Sequence, residues 1–198
     1  MSRMIDEYIG QLPDGIGSYP DCKSAMFIPN LMRDRLHELN YRKPHPALEP
    51  MLSGAYDREK YMPEVESNAL HFALRELVGD EGFEHELEVM SGAAFKSPLY
   101  RALMLVMSPS LIIMGASSRW RAFHLNSHLN SMPVERVNGG KRCEGTLEGP
   151  PYLFNAVMHN AIAVSLRTAI RMTGANDATV VVKEVTATTG FYVCEWSE

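Results

Sequence analysis

The longest apolar segment of the chain covers residues 150–174 and repeats with the period of a helix. At about 100° per residue, its largest side chains fall on one broad arc. Asn160, Arg167 and Arg171 fall on the opposite side, but apolar residues occur there as well. Two prolines at the start and Gly174 at the end are typical boundaries of a helix. Because apolar residues occur on both sides, this helix is predicted to be buried on more than one face. The apolar arc contains Phe154, Met158, Ile162, Leu166, Ala169 and Ile170.

Segments with strand composition lie on both sides of this helix. Residues 127–137 and 141–147 predict a hairpin with a tight turn at 138–140. Valine-rich residues 178–186 and residues 191–196 predict a second hairpin, with Gly190 marking its turn. This order predicts an α+β fold, a helical layer packed on an antiparallel sheet of two hairpins that flank the long helix. The other predicted helices cover residues 23–39, 62–79, 84–95, 98–107 and 110–124.

The chain divides into residues 1–61 and 62–198. Residues 1–19 are dense in Pro, Gly and Asp near their end and predict an extended arm or loops. A helix capped by Asp21 and a proline-rich connector complete this N-terminal arm, which would suit wrapping around a protein partner. The α+β domain begins at residue 62.

Composition and charge narrow the class of protein. With 198 residues, 45% of them hydrophobic, the chain can bury a sizeable core. A net charge of −5 is unlike a nucleic-acid binder. Three widely spaced cysteines without a CxxC pair indicate neither a disulfide framework nor a zinc knuckle, and they favour a cytoplasmic protein. Polar residues interrupt the long helix, so it is not expected to span a membrane.

Polar residues in apolar surroundings are the candidates for chemistry. His159 lies on the apolar arc of the long helix, with Asn155 one turn earlier on the same face. A buried polar group without a partner costs roughly 1–3 kcal/mol, so this pair needs partners. His159 is therefore a satisfied core histidine, a polar anchor in a ligand pocket, or a metal or haem ligand. His71, on the flank of the predicted helix 62–79, is expected to have no special role.

Metal binding and catalysis find less support in the residue pattern. His124 and His128 are four residues apart, but the predicted change from helix to strand falls between them. The nearest acidic residue is Glu135. No G-x-S-x-G, P-loop or G-x-G-x-x-G motif occurs. We expect no metal, no cofactor and no enzymatic activity.

Several stretches resemble a myxobacterial paralogous family that carries a domain of unknown function. They are MPEVESNALHFALREL at 62–77, SPLYRALMLVMSPSLIIMGASSRWRAFH at 97–124 and GFYVCEW at 190–196. That family is similar to the 4-vinyl reductase domain, the haem-NO-binding domain and the TRAPP trafficking subunits. The resemblance implies helices on an antiparallel sheet, a small ligand between the two layers, and homodimerisation.

Two departures from this group limit what the resemblance implies. The Tyr-x-Ser-x-Arg motif that holds haem propionates in the haem-NO-binding domains is absent here. The zinc-binding cysteines of some 4-vinyl reductase domains are reduced to Cys194, with Glu184 and the distant Cys143 as further donors. A structural zinc site usually has four ligands, so zinc is not expected.

These observations lead to three hypotheses. The first is a non-enzymatic cytoplasmic sensor or regulatory domain that binds a small apolar or aromatic ligand between helices and sheet. The second is a dimeric interaction or scaffold protein with a filled core, and the third is a vinyl-reductase-like enzyme. For the first, the predicted ligand-binding residues are Trp120, Phe123, His124, Tyr152, Asn155, Met158, His159, Ile162 and Phe191.

Overall fold

A computed structural model describes residues 3–42, 44–95 and 107–197 of the chain. The described helices are α1 (Arg3–Gly10), α2 (Phe27–Glu38), α3 (Glu49–Leu52), α4 (Glu64–Phe95), α5 (Pro109–Met114), α6 (Ala116–Phe123) and α7 (Ala156–Arg171). The described strands are β1 (Lys23–Ala25), β2 (Tyr61–Pro63), β3 (His124–Leu125), β4 (His128–Ser131), β5 (Glu135–Val137), β6 (Gly140–Glu148), β7 (Thr179–Val185) and β8 (Thr189–Ser197).

The main sheet is antiparallel, with strand order β4–β6–β8–β7 and with β5 paired to the start of β6. The first hairpin turns at Asn138 and Gly139, which both have positive φ, as a tight two-residue turn requires. Helix α7 connects the two hairpins and packs between α4 and the sheet. The prediction of an α+β fold with a helical layer on an antiparallel sheet is confirmed.

Helix α7 begins six residues later than the proline pattern predicts. Pro150 and Pro151 lie in a turn before it, and Asn155 is its N-cap. The Asn155 side chain accepts hydrogen bonds from the backbone N–H groups of Val157 and Met158, at 3.0 and 3.4 Å. Asn155 therefore satisfies the helix terminus and does not share a buried face with His159.

The turn of the second hairpin is also displaced from its predicted position. It lies at residues 186–188, and Gly190 sits inside β8, opposite Leu147 on one side and Val185 on the other. Gly190 is needed for close packing, because a Cβ there would lie 2.7 Å or less from three ring atoms of His159. The prediction that Gly190 marks the turn is wrong for this reason.

The helices predicted over 62–79 and 84–95 are two parts of α4, which bends at Gly79 with a φ of 75°. The helix predicted over 110–124 is divided at Gly115 into α5, capped by Ser108, and α6. The helix predicted over 98–107 falls almost wholly on residues 96–106, outside the described residues.

The N-terminal segment differs from an extended arm. Helix α1 buries Ile5 and Tyr8 completely, in the same hydrophobic cluster as the core of α4 and α7. Residues 23–25, predicted as part of a helix, form β1 at the centre of a small antiparallel sheet with β2 and β3. The extended-arm prediction fails because the side chains on one face of α1 are apolar and α4 offers them a surface.

In the part of the chain that the structure describes, no helix has the length and apolar character needed to cross a lipid bilayer.

Candidate functional site

A cavity of about 230 Å³ lies between α4, α6 and α7. Its walls are mostly aromatic and aliphatic, and four of its nine polar or charged lining residues come from the first two turns of α4. The described residues that line it are Ser24, Phe27, Ile28, Glu64, Ser67, Asn68, His71, Ser91, Ile112, Ala116, Arg119, Trp120, Phe123, His124, Leu129, Phe154, Met158, Ala161, Ile162, Ser165, Leu166 and Ala169.

Trp120 and His124 form the aromatic wall at the end of α6. Their rings stack with centroids 3.8 Å apart and an angle of 12° between planes. Trp120 Nε1 donates to Ser127 Oγ at 3.0 Å, and His124 Nδ1 bonds to Glu64 Oε2 at 2.9 Å. Glu64 is only 2% exposed, so its carboxylate fixes the His124 ring from a buried position.

Helical spacing brings Glu64, Asn68 and His71 to one face of α4. Asn68 is fully buried and is hydrogen bonded to the Tyr8 hydroxyl and to the Leu153 carbonyl. His71 Nδ1 bonds to the Ser67 carbonyl at 3.2 Å, and burial lowers the pKa of His71 to about 4. His71 is therefore neutral at physiological pH. These residues make one end of the cavity polar.

The rest of the lining is mostly apolar but includes the Ser24 hydroxyl, a pair of serine hydroxyls and Arg119, whose guanidinium donates to the Ile112 carbonyl. Ser91 and Ser165 are hydrogen bonded to each other through their Oγ atoms at 3.1 Å. Phe27 and Phe123 lie with ring centroids 6.4 Å apart on another wall. An apolar body with polar groups at one end is the usual composition of a small-molecule pocket.

Two larger depressions have a different character. One, of about 430 Å³, is lined by the ion pairs of Arg75 with Asp80 and of Arg167 with Glu84. The other, of about 410 Å³, includes Glu66 and lies among loop residues near Pro20. The 430 Å³ depression also has aliphatic walls, but the ion pairs cross it, and the 410 Å³ depression is lined by loop residues that include Lys23, Glu59 and Glu66.

Five of the nine predicted ligand-binding residues line the cavity together: Trp120, Phe123, His124, Met158 and Ile162. The other four lie elsewhere. Tyr152 is 47% exposed in the turn before α7, and Asn155 caps that helix. Phe191 alternates with the buried Tyr192 along β8 and therefore faces the opposite side of the sheet.

His159 points from α7 to the sheet and not to the cavity. Its Nδ1 and the Tyr192 hydroxyl are hydrogen bonded at 2.5 Å, and its ring rests on Gly190. It is 1% exposed, and burial lowers its pKa to about 4. This geometry is that of a core histidine held through Nδ1, while its buried Nε2 has no hydrogen-bond partner among the described residues.

The polar residues of α4 are the part of the site that the sequence analysis does not identify. Glu64, Asn68 and His71 interrupt an apolar helix at intervals of four and three residues. This spacing was a usable signal, because it places all three on one helical face. The sequence pattern instead places His71 on the flank of the predicted helix 62–79.

No cluster of three or more His, Cys, Asp or Glu side chains that could hold a metal ion occurs among the described residues. His128 is exposed on β4, whereas His124 is bonded to Glu64. Cys143 and Cys194 lie opposite each other on β6 and β8 as buried free thiols. Burial raises the pKa of Cys194 to about 12, so it stays protonated.

Comparisons of the chain with protein-family models, with curated proteins and with solved structures gave no match. The resemblance to the 4-vinyl reductase, haem-NO-binding and TRAPP group therefore stays a prediction.

Proposed function

We propose that this protein is a non-enzymatic sensor or regulatory domain that binds a small apolar or aromatic molecule in the cavity between α4, α6 and α7. The observation that carries the proposal is the cavity itself, about 230 Å³ with apolar walls and one polar end. The cavity opens to the surface beside Phe27, which is 41% exposed, and its lining has the mostly apolar composition of a small-molecule pocket.

The volume sets the size of the ligand. An engineered apolar cavity of about 150 Å³ in another protein stays dry and binds benzene. Scaled by volume, 230 Å³ accommodates roughly nine non-hydrogen atoms. This corresponds to a fused two-ring aromatic molecule or to a short-chain aliphatic molecule of similar size. Such a ligand would contact four elements at once, because Phe27, His71, Trp120 and Ile162 belong to α2, α4, α6 and α7.

Ligand binding would couple to the fold through these contacts. A ligand that binds only the native state stabilises it by RT ln(1 + [L]/Kd), and here it would do so at the junction of four elements. We propose that this stabilisation is the regulatory signal, which another protein reads. Cytoplasmic location, homodimerisation and a partner for the N-terminal segment stay predictions. A filled core would have favoured the scaffold hypothesis.

The test uses indene, a fused two-ring hydrocarbon, as the probe. Isothermal titration calorimetry of the wild-type chain should detect saturable binding with one site per chain. Ala161→Leu adds three carbons on the cavity wall, where Ala161 is 3% exposed. It should weaken indene binding by about tenfold or more, because the added carbons occupy ligand volume.

Ala156→Leu is the matched control, since Ala156 is exposed on the same helix and does not line the cavity. It should bind indene like the wild type. The proposal is wrong if indene does not bind to the folded wild-type chain, or if both leucine variants bind it with wild-type affinity.

A further inference from the structure

The polar end of the cavity offers hydrogen-bond acceptors. One of them belongs to Asn68, and the partners of its side chain fix the orientation of the amide. Asn68 Nδ2 lies 2.8 Å from the Leu153 carbonyl oxygen and 3.1 Å from the Tyr8 hydroxyl. A carbonyl oxygen can only accept, so the amide nitrogen must be on this side. The Tyr8 hydroxyl donates to the same carbonyl at 3.0 Å and accepts from Asn68.

Asn68 Oδ1 is consequently turned away from these partners. It is fully buried and has no hydrogen-bond partner among the described residues. An unpaired buried acceptor costs roughly 1–3 kcal/mol, a cost that a ligand N–H or O–H would remove. Asn68 is part of the cavity lining, so a small shift of the cavity wall would bring Oδ1 into contact with such a ligand group.

His71 supplies a second acceptor on the same helical face, three residues further on. Its Nδ1 faces the Ser67 carbonyl, an obligate acceptor, so Nδ1 carries the proton. The ring is neutral, since its environment disfavours the charged form. Nε2 is then left with a lone pair, in a residue that is 8% exposed and lines the cavity.

Glu64 completes the acceptor end. One of its oxygens, Oε2, accepts from His124 Nδ1 at 2.9 Å, and an ionised carboxylate has no hydrogen to donate. Its carboxylate disfavours an anionic group at this end of the cavity, whereas Arg119, also in the lining, donates to the Ile112 carbonyl. The serine hydroxyls of the lining can donate or accept, so they do not discriminate between ligands.

We infer that the cavity selects neutral ligands that donate a hydrogen bond from an aromatic or apolar body, the class of indoles and phenols. This inference rests on the proposed function, because it names the ligand class of the same cavity. The acceptors at the α4 end disfavour carboxylates there, and pure hydrocarbons gain only the binding that the apolar walls provide.

The first test compares three probes that have the same number of non-hydrogen atoms. Indole presents an N–H, indene has the same shape without it, and benzoate is an anion. Calorimetry with the wild-type chain should give indole an affinity about tenfold or more above that of indene, and indene an affinity above that of benzoate. Equal affinities of indole and indene would overturn the inference and leave the proposed function intact. Binding of neither would overturn both.

The second test assigns the selectivity to residues. His71→Phe keeps a ring but removes Nε2, and Asn68→Leu removes Oδ1. At least one of them should bring the ratio of indole to indene affinity close to one. Indene affinity reports whether the cavity survives each substitution. Ser91→Ala, at the apolar end, is the control and should keep the wild-type ratio. A wild-type ratio in both polar-end variants would contradict the inference.

Discussion

Gly190 and His159 provide a test of how α7 packs on the sheet. Gly190 has no unusual backbone conformation, and it lies in the ladder of β8 between β6 and β7. A Cβ added there would meet Cε1, Nδ1 and Nε2 of His159, all at 2.7 Å or less. The ring is also hydrogen bonded to Tyr192 and has little room to move. Gly190→Ala must therefore displace α7 or β8.

The magnitude follows from two opposed effects. Overpacking of a well-packed interior typically costs about 1–3 kcal/mol. Replacing a strand glycine with alanine otherwise stabilises by roughly 0.5–1 kcal/mol, because it restricts the unfolded chain. We expect Gly190→Ala to lower the free energy of unfolding by about 2 kcal/mol. In a His159→Ala background the clash is absent, so the same substitution should be neutral or stabilising.

The assay is urea unfolding of the wild type, both single variants and the double variant, followed by circular dichroism. The expected coupling energy is about 1–3 kcal/mol in favour of the double variant. Gly92→Ala is the control, since a Cβ at Gly92 meets nothing within 4 Å. It should not destabilise the protein. An equal cost of Gly190→Ala with and without the His159 ring would refute the proposed contact.

Three further predictions concern stability. The pKa values of His71 and His159 are lowered to about 4 by burial, so the unfolded chain binds more protons between pH 6.5 and 4. The contribution of each histidine to the free energy of unfolding is fully present above pH 6.5 and should fall by about 2 kcal/mol at pH 5. Urea unfolding at the two pH values measures this loss, and His71→Phe should reduce it. Arg35→Met should cost about 2–4 kcal/mol in urea unfolding, because it leaves the 7% exposed Glu86 unpaired, and Glu86→Gln should restore part of it. Asn155→Ala should lower the thermal unfolding midpoint by removing about 1 kcal/mol of helix capping, and an unchanged midpoint would contradict the cap.

The architecture could be predicted because its signals are local. Helical periodicity identifies α7 and both parts of α4, and the Asn138–Gly139 pair identifies the first hairpin through its positive φ values. The prediction for Gly190 is wrong because the reason for a glycine at this position is not local in sequence. The glycine accommodates a histidine ring from a helix some thirty residues earlier in the chain, and a turn glycine looks the same in sequence.

The N-terminal helix was missed for a related reason. Helix α1 has only eight residues, too few to be stable in isolation, and it is held by the burial of Ile5 and Tyr8. Its stability comes from tertiary packing, including the hydrogen bond from Asn68 to the Tyr8 hydroxyl. Proline and glycine in the following residues dominated the sequence pattern and concealed it.

The cavity could be predicted only in part. Five of the predicted ligand-binding residues, from the end of α6 and from α7, meet at the cavity wall. The polar end was not predicted, because the orientation of Asn68 depends on contacts distant in sequence. Its amide nitrogen is held by the Tyr8 hydroxyl of α1 and by the Leu153 carbonyl. A polar residue on an apolar helix does not show whether its partner is protein or ligand.

The most direct test of the central claim is a crystal structure of the wild-type chain soaked with 5-bromoindole, with anomalous data collected at the bromine edge. The account predicts one strong bromine peak among Trp120, Met158 and Ile162, with the indole N–H directed to Asn68 or His71. A cavity filled by the protein's own side chains, or bromine bound only outside it, would contradict the account.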